Sequence, residues 1–459
     1  MKKIAVFLFI IFLLCGTTVS AAGYKGYIYN NDNKPIPSQI GYIPQTQIFL
    51  NNCQNPSDMF LREETLYVLD SDPAKIIAYD LQFNLIKTIE IQGLEEPTGI
   101  FADSSHNLFV ADPAAGAVVK TDPNGKILMK ISKESLKNVD DDFVFKPQKV
   151  ICDSTGLIYI AAQSFYQGAL TFDQNGQPQG FFGSNTVDIS LKLLNDMFWK
   201  KILSKDQVSK MSKYVPEEFT NFHIDSEDMV YTCTQNSSVW KDRVKKLNPV
   251  GINIMKENNG FGELESIIVN EQAVTSQLID VTTDKNGFIS VFDYTRGRIY
   301  QYDGNGQLLL IFGGSGNMAG SFLKPAALLS HDDKLLALDR EKCSITVFEK
   351  TQFGKTLHEA VIKYNEGKYS EAVEYFQNVL KQDGNYELAY TGIGKALYEQ
   401  GDYKQAAEYF KKGSSRELNS EAFLEYRNQE IKRLLPVMIA ALVLLAVLII
   451  LIKRRRKKA

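Results

Sequence analysis

The stretch Glu96–Met129, EPTGIFADSSHNLFVADPAAGAVVKTDPNGKILM, contains three short apolar strands and the beginning of a fourth. Turn-forming residues separate these strands: Asp103 begins the first turn, and Asp122-Pro-Asn-Gly125 forms the last. Short apolar runs joined by Asp, Asn, Pro and Gly are typical of antiparallel hairpins. Because one sheet of this size cannot bury its own faces, the unit is expected to recur along the chain.

The unit recurs when its register is set on Pro97. Six units begin at equivalent positions, namely Pro56, Pro97, Pro147, Phe219, Leu278 and Pro325. Turn residues recur in the units: Asp103, Asp153, Asp225 and Asp284 stand six residues after a unit start, Asp70, Asp112, Asp293 and Asp339 close a second strand, and Gly125, Gly176, Gly251 and Gly306 stand in a later turn. The units at Pro56 and Pro325 lack the early aspartate, and their first turns are one residue shorter. Six four-stranded units predict an all-β, six-bladed β-propeller over residues 24–350.

The last unit ends after its third strand, Ile345–Glu349. Near the start of the chain, Tyr27–Asn33 resembles a third strand with its turn, and Gln39–Ile43 resembles a fourth strand. An N-terminal strand that completes the last sheet would close the ring and remove its open edges. We therefore expect the two ends of this region to pair.

An insertion, residues 185–216, separates the third unit from the fourth. Leu191, Leu194, Phe198 and Ile202 recur in it at helical spacing, which indicates a helical insertion. It would either pack on the propeller rim or offer a contact surface to a partner protein or the bilayer.

The N-terminus predicts export. Residues 1–21 combine two lysines, the apolar run Ile4–Cys15 and small residues before a cleavage site near Ala21 or Ala22, as in a secretory signal peptide. Cys15 leaves open an alternative in which this cysteine is acylated after cleavage.

The C-terminus predicts a membrane anchor. Leu434–Ile452 is 19 uncharged residues long, nearly enough to cross the hydrocarbon layer of about 30 Å. A basic tail, residues 453–459, follows directly and begins with Lys453, Arg454, Arg455 and Arg456. Positive charge favours the cytoplasmic side, so the chain is expected to be a single-pass protein of the cytoplasmic membrane with its bulk outside.

The period changes after residue 353. Gly367–Phe376 (GKYSEAVEYF) is repeated 34 residues later as Gly401–Phe410 (GDYKQAAEYF). This is the period of tetratricopeptide repeats, which are paired antiparallel helices. The module is predicted over residues 354–433, with a capping helix Ser420–Leu434 that continues into the span and with Pro436 in the first turn of the membrane helix.

The sequence carries little sign of catalytic chemistry. Three of the four histidines, His106, His223 and His331, occupy different positions in their units, so they do not predict a zinc site. Aspartates at the turns could bind calcium, but the geometry of Asx turns already accounts for them. No metal or other cofactor is therefore predicted, with calcium as the alternative.

Three further features have simple interpretations. Gly313–Gly320 fits neither phosphate-loop spacing and is interpreted as a turn between units. The net charge of −3 gives no indication of a nucleic-acid partner. Cys53 and Cys343 could form a disulfide across neighbouring blades, or remain unpaired like small hydrophobic residues.

The blade units resemble NHL repeats. The order of signal, propeller, two tetratricopeptide repeats and membrane segment resembles a bacterial family of membrane-anchored NHL-repeat proteins. That resemblance implies an accessory role beside sugar-transport and Yip-type membrane proteins. Gluconolactonase-like calcium enzymes and peptidyl-amide lyases are similar propellers, but the histidine ligands of the lyases have no convincing counterparts here.

The tetratricopeptide resemblance also implies a concave groove for a peptide or protein partner. The groove-facing positions would be Leu357, Val361, Tyr364, Thr391, Lys395 and Tyr398. These side chains could instead pack against the propeller or the capping helix.

Three functions follow. The first is a non-catalytic scaffold whose propeller binds a ligand and whose helices dock a partner in a membrane complex. The second is a hydrolase or lyase acting on sugars or cell-wall material. The third is a sensor that signals through its basic tail.

Overall fold

A computed structural model of the chain describes residues 24–136, 144–163, 165, 168–183, 218–235, 243–255, 260–263, 265–269 and 272–456. The signal segment 1–21 and the insertion 185–216 lie outside the described residues. The chain divides into two compact units: one contains residues 40–351, and the other combines residues 26–39 with residues from 352 onward.

Six sheets form the blades of a β-propeller, as the repeats predict. Three strands precede the first blade: β1 (Tyr27–Tyr29), β2 (Pro35–Pro37) and β3 (Tyr42–Phe49). Blade 1 contains β4 (Pro56–Arg62), β5 (Thr65–Ser71), β6 (Ala74–Tyr79) and β7 (Leu85–Ile89). Blade 2 contains β8 (Gly99–Ala102), β9 (Leu108–Asp112), β10 (Ala117–Thr121) and β11 (Ile127–Ser132), and a 3₁₀ turn, Lys133–Ser135, follows.

Blade 3 contains β12 (Pro147–Cys152), β13 (Ile158–Ala162), β14 (Ala169–Phe172) and β15 (Pro178–Phe182). Within the described residues, blade 4 has three strands, β16 (Asn221–Ile224), β17 (Val230–Cys233) and β18 (Val244–Leu247). A separate hairpin, β19 (Ile267–Val269) and β20 (Gln272–Val274), precedes blade 5. Blade 5 contains β21 (Leu278–Thr283), β22 (Ile289–Asp293), β23 (Arg298–Tyr302) and β24 (Leu308–Gly313). Blade 6 contains β25 (Pro325–His331), β26 (Lys334–Asp339), β27 (Ser344–Lys350) and β3.

The ring closes through the N-terminal strand β3, which pairs antiparallel with β27. The expected closure is therefore confirmed, but the strand is Tyr42–Phe49 and not Gln39–Ile43. Pro44 lies within this strand, and an outermost strand tolerates proline because one of its edges needs no donor. The prediction for Tyr27–Asn33 was wrong, because β1 pairs with β2 in a hairpin of its own.

Carboxylates at the turns hold the blades as the sequence predicts. Asp103 Oδ1 accepts hydrogen bonds from the backbone N–H groups of Ser105 and Asn107, both at 2.9 Å. Asp153, Asp225 and Asp284 do the same in their own blades. These aspartates therefore act as Asx-turn residues at the bend into the second strand.

The propeller core lies between adjacent blades. One cluster joins blades 1 and 2 and includes Leu69, Ile76 and Val110, all fully buried. Another joins blade 6 to blade 1 across the closure and includes Val68 and Leu338. The cysteines of the described region, Cys53, Cys152, Cys233 and Cys343, are free thiols in this structure.

The second unit is helical. Its helices are α1 (Gln352–Asn365), α2 (Tyr369–Gln382), α3 (Glu387–Glu399), α4 (Tyr403–Lys412) and α5 (Arg416–Arg456). Glycines allow the helices to approach closely: a Cβ on Gly392 would lie 2.5 Å from the Phe376 ring, and one on Gly394 would lie 2.6 Å from the Phe410 ring. Ala372 and Ala406, the small residues matched by the repeat, are fully buried.

Two details of the helical unit differ from expectation. The hairpin β1–β2 belongs to this unit, where Gln39 N–H donates to Asp383 Oδ2 over 3.0 Å and Asn31 N–H donates to Glu387 Oε2 over 3.2 Å. The capping helix begins at Arg416 and continues without a break to Arg456. Pro436 therefore lies inside a helix, not in its first turn, because the polar residues before it are already helical.

We predict that Asp112→Ala destabilises the propeller. The Asp112 carboxylate is fully buried and accepts backbone N–H groups of Glu95, Glu96, Ala114 and Ala115. Alanine would leave these donors without their acceptor, which should cost about 3 kcal/mol of unfolding free energy. Urea unfolding of the full chain, followed by circular dichroism, measures the loss.

Asp122→Asn is the matched control, because Asn248 occupies the same turn position in blade 4 and accepts the same two backbone donors. It should stay within about 0.5 kcal/mol of the parent chain. Equal urea midpoints for Asp112→Ala and the parent chain would contradict the structural role of Asp112.

Candidate functional site

The first strands of the six blades, β4, β8, β12, β16, β21 and β25, form a ring in which each neighbours the next and β25 neighbours β4. In four of them the pairing register shifts at the second residue, at Pro56/Asp58, Pro147/Lys149, Leu278/Asp280 and Pro325/Ala327. Such bulges re-aim side chains. The residue after the shift stands two positions after the start of its unit, and Asp58, Lys149 and Asp280 at this position contact other blades.

Buried polar groups from these positions join blades on different sides of the ring. Lys149 Nζ of blade 3 lies 2.5 Å from Asp58 Oδ2 of blade 1. Asp58 also accepts the Ile100 N–H of blade 2 at 2.8 Å. The pair spans blade 2 because that blade has Gly99 at the same position, where a Cβ would lie 2.9 Å from the Lys149 Cα. The small residue of blade 2 thus leaves room near the axis of the ring for the charged pair of blades 1 and 3.

Blades 4, 5 and 6 are joined in a similar way. Asn221 Nδ2 donates to the Ile279 carbonyl over 3.1 Å. Asp280 Oδ2 accepts the Leu328 N–H at 2.6 Å. Burial raises the pKa of the Asp280 carboxyl to about 7, and the nearby Lys149 ammonium opposes that rise. Asp280 is therefore a titratable group inside the ring.

One end of the ring opens into a cleft of about 350 Å³, which we call the mouth. Its walls come from the beginnings of first strands and the residues that follow second strands in blades 3–6. The lining residues are Gln148, Gln235, Ile279, Tyr294, Lys324, Pro325, Ala326 and Arg340.

The mouth is lined by hydrogen-bond donors. Arg340 is positioned by its Nε, which donates to the Pro56 carbonyl over 3.2 Å. Lys324 Nζ lies 2.6 Å from Glu341 Oε2, and this hydrogen bond raises the pKa of Lys324, so it remains a cation at neutral pH. With the amides of Gln148 and Gln235 and the Tyr294 hydroxyl, the mouth suits a small ligand rich in acceptor oxygens.

The histidines do not converge. His106 Nδ1 lies 3.1 Å from the Tyr67 hydroxyl, and His331 Nε2 lies 3.5 Å from Asp332 Oδ2. His223 stands in β16, where burial lowers its pKa to about 4. In the described part of the chain, no three His, Cys, Asp or Glu side chains are grouped so as to hold a metal ion.

The predicted groove residues of the helical unit fall into two groups. Leu357 and Val361 on α1 are buried, with 0% and 7% of their surface exposed, so they are core residues of the helix pair. Tyr364, Thr391, Lys395 and Tyr398 are partly exposed. The Tyr398 hydroxyl donates to Glu421 Oε1 on α5 over 3.4 Å, so Tyr398 contacts the capping helix.

The predicted anchor residues all lie on α5. It is the candidate membrane-spanning helix of the described residues, and its apolar part from Leu434 to Ile452 is exposed. Lys453, Arg454, Arg455 and Arg456 continue the same helix.

Sequence reasoning missed the buried polar residues of the axis and the mouth. A signal existed: Asp58, Lys149, Asn221 and Asp280 each stand two residues after a unit start. Likewise Tyr294 and Arg340 each follow a repeated aspartate directly. An alignment of the six units would have shown both sets of residues at equivalent positions.

We predict that Asp280→Asn flattens the pH dependence of stability between about pH 4 and pH 7. The raised pKa means that folded Asp280 holds a proton in this window while the unfolded chain does not, so stability falls as pH rises. Asparagine stays neutral and can accept the Val281 N–H as Asn221 accepts that of Phe222. Its amide nitrogen cannot accept the Leu328 N–H, so the variant should show a lower but flatter curve. Thermal midpoints of the full chain from pH 4 to pH 8 measure the difference.

Asp122→Asn, an exchange at an exposed turn, should leave a curve parallel to that of the parent chain. Parallel curves for Asp280→Asn and the parent chain would show that Asp280 does not titrate in this window.

Comparison with known proteins adds the following. The tetratricopeptide repeat family model matches residues 364–424, from the end of α1 into α5. The chain is similar to a streptogramin B lyase structure, with 11% identity and a TM-score of 0.44 over 68% of this chain and 100% of that one. It is also similar to virginiamycin B lyase from Staphylococcus aureus (8%, TM-score 0.42, 67% and 99%) and to a gluconolactonase from Xanthomonas campestris (9%, TM-score 0.43, 73% and 98%). No curated protein sequence matches the chain.

Proposed function

We propose that this chain is a non-catalytic binding and scaffold protein, anchored in the cytoplasmic membrane by one span. Its propeller binds a small acceptor-rich ligand at the mouth, and its helical repeats dock a protein partner in the same membrane. The bulk of the chain lies outside and residues 453–459 lie in the cytoplasm, since the tail carries six cations against two directly before the span.

The composition of the mouth is the observation that carries this proposal. Arg340 and Lys324 place two cations at its wall, with the charge of Lys324 partly offset by Glu341. The amides and the phenol supply further donors. A cleft of about 350 Å³ is at the small end of ligand sites, so a single sugar-sized molecule is the right scale. A carboxylate with several hydroxyls, as in an acidic sugar, would use both the charges and the donors.

The helical repeats support the docking role. Stacked helix pairs present a concave surface formed by their first helices. Here α3 contributes Thr391, Lys395 and Tyr398, partly exposed side chains of mixed polarity. The association with a sugar-transport complex, which the family resemblance implies, is one specific form of this proposal.

We predict that D-glucuronate binds the full chain more tightly than D-glucose does. The carboxylate should interact with Arg340 and Lys324, and an exposed charge pair is worth up to about fivefold in affinity. Arg340→Gln should remove most of that preference. Saturation-transfer NMR of each sugar with the full chain in nanodiscs gives the two affinities.

Lys126→Gln, which neutralises an exposed lysine on a turn outside the mouth, is the matched control and should keep the preference. Equal binding of both sugars, or a preference that survives Arg340→Gln, would contradict an anion site at the mouth. Conversion of either sugar would replace the binding role with a catalytic one.

We predict that a membrane protein crosslinks to the full chain in its native envelope and is lost in a Lys395→Glu, Tyr398→Ala double variant. The reversed charge and the missing ring would change the α3 surface and leave the glycine crossings at Gly392 and Gly394 in place. Because the Tyr398 ring also packs on the cluster between α4 and α5, circular dichroism melting checks that the double variant is folded. Quantitative mass spectrometry after affinity purification measures the loss.

Lys404→Glu makes the same charge change on the exposed side of α4 and should retain the partner. If the partner persists in the double variant, or is lost equally in the control, docking does not use the α3 surface.

A further inference from the structure

A second cleft lies where the ring closes, and we call it the seam cleft. Its volume is about 510 Å³, larger than that of the mouth. Strand β3 and blade 6 form one side, and blade 1 forms the other, so both sides belong to the propeller unit. It involves the turns 80–83 and 331–334, whereas the mouth involves the starts of first strands.

The walls of the seam cleft are apolar. Side chains from both sides of the closure contribute, namely Ile48, Leu61, Leu66, Phe83, Leu336 and Val347. All six belong to the hydrophobic cluster that joins blade 6 to blade 1: Leu66, Leu336 and Val347 are its buried members, and Ile48, Leu61 and Phe83 pack on its partly exposed margin. A cleft of this size with continuous apolar walls falls within the range of sites for small organic ligands.

The rim of the seam cleft is predominantly acidic. Asp80, Asp332 and Asp333 border it, together with the Lys334 ammonium group and the His331 imidazole. Asp333 Oδ1 lies 3.1 Å from Lys350 Nζ, and Asp332 Oδ2 lies 3.5 Å from His331 Nε2, so Asp80 is the carboxylate of this rim that faces no cationic partner in the described residues. Lys334 Nζ lies 3.1 Å from Glu349 Oε1, which offsets its charge. Hydrogen bonds from Asn84 lower the pKa of Asp80, so this carboxylate stays ionised. A cation is therefore the complementary charge for this rim.

Phe83 distinguishes the turn after the third strand of blade 1 from the equivalent turns of blades 2–5. It stands at φ 62° in the turn after the third strand, a conformation that favours glycine. The equivalent turns of blades 2–5 have Gly125, Gly176, Gly251 and Gly306 at positive φ. Blade 1 alone among these five turns places an aromatic ring there, and that ring forms part of the cleft wall.

We propose that the seam cleft binds a small organic cation that has an apolar, aryl-sized body and one protonated amine. The body would occupy the space between Phe83, Leu61 and Leu336, and the amine would face the carboxylates of Asp80 and Asp332. This site is separate from the mouth and opposite to it in ligand charge, so its test does not depend on the proposed function.

Photolabelling of the full chain in nanodiscs tests the proposal. The probe is 4-(aminomethyl)benzophenone, and the comparison compounds are neutral 4-(hydroxymethyl)benzophenone and anionic 4-benzoylbenzoate. Mass spectrometry locates the labelled residues, so partition of a probe into lipid does not obscure the result. We expect the amine to label residues 45–48, 61–83 or 331–347 at about threefold lower concentration than the neutral compound, as an exposed charge pair allows.

Three variants test the named groups. Asp80→Asn and Asp332→Asn remove charge while asparagine keeps the turns: it serves at Asn248 and tolerates positive φ, as required at position 332 (φ 50°). Each should raise the half-saturating concentration about threefold. Phe83→Gly installs the residue of the other blades and removes the apolar wall, which should raise it about tenfold.

Asp122→Asn is the matched control, with the same charge change in blade 2 away from the cleft, and should leave labelling unchanged. Circular dichroism melting confirms that each variant is folded. The proposal is overturned if the amine and the neutral compound label the seam equally, if Phe83→Gly labels like the parent chain, or if the control loses labelling as much as Asp80→Asn does.

Discussion

Seven residue pairs between β3 and β27 hold the propeller closed. They join residues about 300 positions apart, so they close a long loop. The conformational entropy that the chain loses on closing this loop must be offset by the burial of apolar surface. The offset comes from the cluster between blades 6 and 1, where Ile345 and Val347 of β27 are buried together with Val68 of blade 1. Without β3, the edge of β27 would present unpaired backbone groups to solvent.

The seam cleft lies at the same closure. The outer strand of blade 6, β3, pairs with β27 and leads into blade 1 through residues 50–55, so it borders both blades. Ile48 of β3 and Phe83 of blade 1 pack on the margin of the shared cluster and leave space between them. The turn residues Asp80 and Asp332, which serve local backbone geometry, then supply the acidic rim.

Along the axis, side-chain size decides which charges can meet. Lys149 reaches Asp58 because Gly99 intervenes without a side chain. A buried ion pair of this kind contributes little net stability, since desolvation offsets much of the attraction. Its effect is specific: it fixes blade 3 relative to blade 1. With Asp280 bonded to blade 6 and Asn221 to blade 5, the polar groups set the blade positions below the mouth.

Turns and helix pairs, which depend on nearby residues, were predictable from the sequence. Contacts between side chains of different blades were not. Turn aspartates such as Asp103 were predictable because their partners lie within four residues. The helix pair was predictable from its 34-residue offset, which the family match supports. Lys149 and Asp58 are 91 residues apart, and nothing local to either indicates the other. The seam cleft was hidden for the same reason, because its walls come from three distant segments.

Residues 26–49 are divided between the two compact units, although they are continuous in the sequence. If this segment belonged entirely to the propeller, it would supply two strands to one sheet. In the structure it serves two units: β3 closes the ring, while the hairpin β1–β2 bonds to the helices through Asn31 and Gln39. Its acceptors, Asp383 and Glu387, flank the start of α3, the helix that bears Thr391, Lys395 and Tyr398. The helical surface available to a partner is therefore defined by both ends of the chain, and a fragment that begins at residue 352 would lack the hairpin and present a different surface.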